Sequence, residues 1–76
     1  MMFQPFDIVV LQSDFPEHNL HKGDVGVVVE LYPQDGLEVE FVTGAGKTQA
    51  LLTLKKEDVR PIGEFDMLSI RSIDVA

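Results

Sequence analysis

Leu20-His21-Lys22-Gly23-Asp24-Val25-Gly26-Val27-Val28-Val29-Glu30-Leu31-Tyr32 reads as a turn feeding a long strand. Gly23 closes the turn, where a positive φ suits glycine. Val25, Val27, Val29 and Leu31 then share one face, and Asp24, Gly26, Glu30 and Tyr32 share the other. That period of two predicts a half-buried strand with the valines inward. Gly26 predicts a bulge, a sharp bend, or another backbone passing close. A long strand bent at a glycine is what a small barrel needs to fold one sheet over on itself.

Further strands flank this one. Phe6 to Leu11 is apolar on both faces, which predicts cover on both sides, the second from the C-terminal tail or another subunit. Gln12 to Asp24 is a long connection broken by Pro16 and Asn19, with Phe15 and Leu20 as its anchors to the core. After Pro33-Gln34-Asp35-Gly36, a tight-turn signal, Leu37, Val39 and Phe41 alternate with Glu38 and Glu40. Thr43-Gly44-Ala45-Gly46 turns the chain into a fourth strand, Lys47 to Leu54, with Thr48, Ala50, Leu52 and Leu54 inward. Lys55 to Asp58 suits one helical turn, being too short for a stable α-helix. Val59 to Ile62 suits a short last strand, confined to an edge by Pro61. The expectation is an all-β fold, a small SH3-like barrel of about five antiparallel strands with one short helical turn before the last strand. Residues 1–62 form the barrel. Residues 63–76 form an apolar C-terminal tail, an extra strand or an oligomerisation segment.

The 76 residues suit one domain, which buries roughly 60% of its unfolded surface. The absence of cysteine excludes disulfides and thiolate metal sites, and with it favours a cytoplasmic protein. No signal-like segment opens the chain and no apolar run has membrane-spanning length. With 13 acidic against 6 basic residues the net charge is −7. Such a charge repels nucleic acid and anionic lipid and attracts a basic partner.

Several blocks together resemble a known family. They are Phe6-Asp7-Ile8-Val9-Val10-Leu11, Asp14 to Leu20, Lys22 to Glu30, Glu38-Val39-Glu40-Phe41-Val42 and Ala50-Leu51-Leu52-Thr53-Leu54. In order and spacing they are similar to the small bacterial proteins of the DUF4926 family, from Phe6 to about Arg60. The resemblance implies an SH3-like fold and a small stand-alone protein with a partner encoded nearby. It implies no mechanism, because that family has no established activity.

Three pieces of chemistry compete on the residues themselves. Gly46-Lys47-Thr48 ends like a phosphate-binding loop, but the required earlier glycine is Phe41 and a strand follows where a helix is needed, so it reads as a hairpin turn. His18 and His21, among Asp14, Glu17 and Asp24, are candidate metal ligands for a metal-binding accessory protein or enzyme, although Pro16, Asn19 and Gly23 make the loop irregular. Gly23-Asp24-Val25-Gly26-Val27-Val28 resembles the core of KOW-type RNA-binding barrels. Lys55, Lys56 and Arg60 are its only basic concentration, interrupted by Glu57 and Asp58, and the total charge opposes it. No nucleophile motif is present, and no cofactor is implied. The leading expectation is therefore a non-enzymatic protein-interaction module, in one version an immunity or antitoxin-like protein masking a basic partner. Its contact residues are Asp14, Phe15, Glu17, His18, Tyr32, Glu38 and Glu40, with a homodimer through the tail as a further possibility.

Overall fold

The computed structural model describes residues 3–73. Its strands are β1 (Ile8–Leu11), β2 (Val25–Tyr32), β3 (Gly36–Val42), β4 (Thr48–Lys55) and β5 (Val59–Pro61). They form one antiparallel sheet in the order β4-β3-β2-β1-β5. This is the strand order of an SH3-like barrel, left open between its two edge strands, β4 and β5. A 3₁₀ turn, Lys56–Asp58, precedes β5. The Asp58 carboxylate accepts the Lys55 backbone N–H at 2.9 Å and so satisfies a donor at the start of that turn. β5 stops at Pro61, which has no N–H to extend a ladder.

The core lies on one face of the sheet. Val9, Leu11, Val28, Leu37, Val39, Phe41, Ala50, Leu54 and Val59 fill it, joined by Phe3 and Leu20 from outside the strands. Burial of each large apolar side chain contributes about 1.5–3 kcal/mol. Leu37, Val39 and Phe41 point inward as their alternation requires.

β2 corrects the expected inward face. Val28 is buried and Val25 is 39% exposed, so the inward residues at the start of the strand are Gly26 and Val28, not Val25 and Val27. The register explains this: Gly26 lies opposite inward-facing Val9, and Val27 lies opposite Ile8 and Glu40 on the outer face. Four consecutive apolar residues from Val25, Gly26 excepted, gave alternation no purchase. What passes close to Gly26 is side chain and not backbone. A Cβ there would sit 2.7 Å from Phe41 Cε1 and Val39 Cγ1, so its missing side chain is space taken by the neighbouring strand. The register slip comes three residues later, where Val28 and Glu30 pair with Val39 and Glu38 and leave Val29 extra. The slip reverses the phase, and Leu31 packs on the core as expected.

Two further boundaries move. β1 begins at Ile8, because Gln4 to Asp7 form a turn in which the Asp7 N–H donates to the Gln4 carbonyl at 3.1 Å. Phe6 takes a φ of 73° there and its ring is 78% exposed. In β4 the slip at Gln49 puts Thr48 opposite Val42, so Thr48 joins the outer face although it was expected inside.

Residues 62–73 add no strand to the sheet. Two arginine–aspartate pairs hold this tail. Arg60 makes two bonds to the Asp66 carboxylate, at 2.7 and 3.0 Å, and Asp66 also accepts the Gly63 N–H. Arg71 makes two bonds to Asp24 and one to the Asn19 carbonyl. Between the clamps Met67 and Leu68 pass beside Val10 and Val25 on the outer face. Val10 is only 6% exposed, but Ile8 on the same face is 44% exposed and Met67 and Leu68 are themselves 90% and 71% exposed, so the tail leaves the second apolar face of β1 largely open.

Candidate functional site

Beyond the tail's reach, the outer face of β2, β3 and β4 is acidic. Its centre follows from the β2–β3 turn. That turn pairs Tyr32 with Gly36, and counting equally back along both strands places Glu30 opposite Glu38. Glu40 stands two residues further along β3, between Val27 and Leu51. Like charges directly opposed across a ladder destabilise a sheet by about 0.2–1 kcal/mol. Among the described residues, none of these three glutamates belongs to an ion pair; the pairs are Lys56–Asp35, Arg60–Asp66 and Arg71–Asp24.

Hydroxyl groups orient two of the carboxylates. Thr53 Oγ1 donates to Glu38 at 2.6 Å and Thr48 Oγ1 donates to Glu40 at 2.6 Å. Both threonines belong to the edge strand β4, so both carboxylates lean toward that edge. The Tyr32 hydroxyl donates to Glu38 at 3.4 Å. Burial, then the charges of Glu30 and Glu38, push the Tyr32 hydroxyl above its ordinary pKa.

The face therefore unites Tyr32, Glu38 and Glu40 and adds Glu30. The other expected contact residues lie elsewhere. Asp14, Phe15, Glu17 and His18 sit in the β1–β2 connection, where Pro16–His18 form a 3₁₀ turn and Phe15 bonds to Leu20 in both directions. Phe15 packs on the core. The Asp14 carboxylate accepts the Lys22 N–H at 2.7 Å, and Gln49 Nε2 donates to the His18 carbonyl at 3.1 Å. That last bond places His18 by the first residues of β4, whereas Tyr32 lies by the last, roughly 20 Å away along the strands. The loop residues thus lie at the end of the sheet opposite Tyr32, with Glu40, bonded to Thr48, nearer to them than Tyr32 is.

His18 and His21 do not gather a ligand set. Among the described residues, no group of three or more histidine or acidic side chains is placed to hold a metal ion. Asp24, the nearest acid to His21 in sequence, accepts the His21 N–H and is engaged by Arg71, which holds its carboxyl below the usual range. Thr43 to Lys47 is a hairpin turn closed by the Thr43 N–H on the Lys47 carbonyl at 2.8 Å, with β4 following. A cleft of about 760 Å³ lies between the tail, residues 20–25 and the β3–β4 turn, with Leu20, Val25, Phe41, Val42, Ile70 and Ile73 as its apolar lining. Among the described residues no helix is long and apolar enough to cross a membrane.

Glu30, Thr48, Thr53 and Arg71 were missed as contributors. The turn spacing could have supplied Glu30. The roles of the threonines depend on the slip at Gln49, and Arg71 acts over 47 residues of sequence, so neither had a local signal.

Fold and face together define the class: a small SH3-like β domain with an acidic, uncovered sheet face. The chain belongs to the DUF4926 family, whose model, a domain of unknown function, matches residues 6–61. No curated protein and no solved structure matches it.

Proposed function

We propose that this protein is a non-enzymatic binding module that engages and masks a basic partner protein, in the manner of an immunity or antitoxin-like protein. The observation that carries the reading is Glu30 opposed to Glu38, with Glu40 beside them and, among the described residues, no cation paired to any of the three. Such a cluster works against folding, and a cationic partner would relieve it on binding. The net charge of −7 extends the same attraction to long range.

The test is affinity capture from a lysate of the source cells at low salt, using the parent and the Glu38→Lys/Glu40→Lys variant. The parent retains one basic protein in near-equal amount, salt releases it, and the variant loses it. Equal recovery on both proteins would overturn the reading.

A further inference from the structure

The two edges of the sheet are unequally protected. β5 has three residues and ends in proline. β4 has eight, and from Thr48 to Leu54 it carries neither charge nor proline. At its end the Lys55 N–H is taken by the Asp58 carboxylate; among the described residues, no other backbone group from Thr48 to Leu54 bonds outside the ladder with β3. Edge strands left open usually carry a charge, a proline, a bulge or a cover that blocks pairing; β4 has a bulge at Gln49, and its run from Ala50 to Leu54 has none of these. Leu51 is 54% exposed on the outer side of this edge, and Leu52 is half-buried at the rim of the core on the inner side.

We infer that β4 accepts an extended segment of the basic partner as a sixth strand, with Lys or Arg at alternate positions facing Glu38 and Glu40 and apolar residues between them. This rests on the binding role proposed above and specifies how the partner is held. A strand added at the edge lies two strand spacings from β3, about 10 Å, within the combined reach of an arginine and a glutamate. Glu38 and Glu40 are two residues apart, about 7 Å, and so are alternate side chains of an added strand. Thr53 and Thr48 already draw both carboxylates toward the edge. Facing inward, the segment's apolar residues would continue the row formed by Ala50, Leu52 and Leu54. A second copy of the chain fits less well. β4 against β4 would bring two acidic faces side by side, each from a molecule of charge −7.

The probe is a fluorescent octapeptide alternating Lys and Val, measured by anisotropy at low salt. Two further peptides carry N-methyl groups on one or the other alternate set of amides. Charge is unchanged, but one set points at β4 and the other at solvent. The unmethylated peptide binds saturably, one methylated peptide weakens by roughly tenfold or more, and the other binds as before. Equal binding by both methylated peptides would overturn strand addition while leaving charge-driven binding standing. No saturable binding of the unmethylated peptide would also overturn it, and capture of a basic protein in the separate experiment would still support the masking role. Dimerisation of the protein alone, with slowed amide exchange in β4, would overturn it in favour of self-pairing.

Discussion

Three residues ending in proline form one edge of this sheet, and eight residues without proline or charge from Thr48 to Leu54 form the other. The difference continues across the outer face. On the β1–β5 side the tail passes beside Val10 and is fastened by two bidentate arginine–aspartate pairs. On the β2–β4 side nothing described covers Glu30, Glu38 and Glu40, and like charges face each other across the ladder. Both halves share one core, so stability does not require them to differ. The protected half closes the fold, and on the proposed reading the bare half is the one that meets a partner.

Four outcomes would break or sharpen that contrast. The largest concerns the shared core. Val28→Asp buries an unpaired charge opposite Val39 and removes about 4 kcal/mol or more, enough to unfold a domain whose total stability is about 4–11 kcal/mol. Val27→Asp, on the outer face, changes stability by about 1 kcal/mol or less. Thermal melts followed by circular dichroism distinguish them; similar melts would break the assignment of faces.

Ending the chain after Gly63 comes next. It removes the Arg60–Asp66 and Arg71–Asp24 pairs and costs about 1 kcal/mol in chemical denaturation. Binding of the Lys–Val peptide should survive the truncation, and its loss would show that the tail belongs to the contact surface.

Glu30→Lys has a smaller effect of opposite sign. Replacing a like-charge pair with an attractive one stabilises the sheet by about 0.5 kcal/mol and weakens peptide binding. A variant that loses stability would remove the argument that the glutamate pair is retained against folding.

The smallest effect is the acid response of the tail. The bonds from Arg60, then from the Gly63 N–H, lower the Asp66 pKa from 3.8 to about 2. A carboxylate depressed on folding stabilises the folded form above its unfolded value. That contribution falls away as the pH drops below about 3.8 toward 2. The Gly63 amide resonance should therefore titrate near pH 2 and stay constant above pH 5. A midpoint near 3.8 would mean that the clamp is not formed in solution.

Most of the fold was legible in local patterns. Leu37, Val39 and Phe41 alternate with glutamates, so β3 declared both its faces. The turn residues around Pro33 to Gly36 and Thr43 to Gly46 divided the sheet correctly, and Pro61 confined β5 to an edge. β2 was misread where alternation carried no information: four valines surround Gly26, and Val29 slips the register. Phe6 was misplaced because its apolar side chain resembled strand, whereas Pro5 and Asp7 build a turn. The site was half legible. Tyr32, Glu38 and Glu40 stand out as the polar side of strands. The acidic and aromatic loop residues looked equivalent to them in sequence, but Phe15 is occupied by the core and Asp14 by the Lys22 N–H. Packing on the core and a bond within the loop made that distinction.

The most direct test of the central claim is a backbone amide shift map of the protein during titration with the Lys–Val octapeptide. The account predicts changes concentrated in β4 and around Glu30, Glu38 and Glu40, weakened by added salt, with β5 and the tail unmoved. Changes centred on Phe65 to Ile70 and the cleft beneath them would contradict it and make the clamped half the binding half.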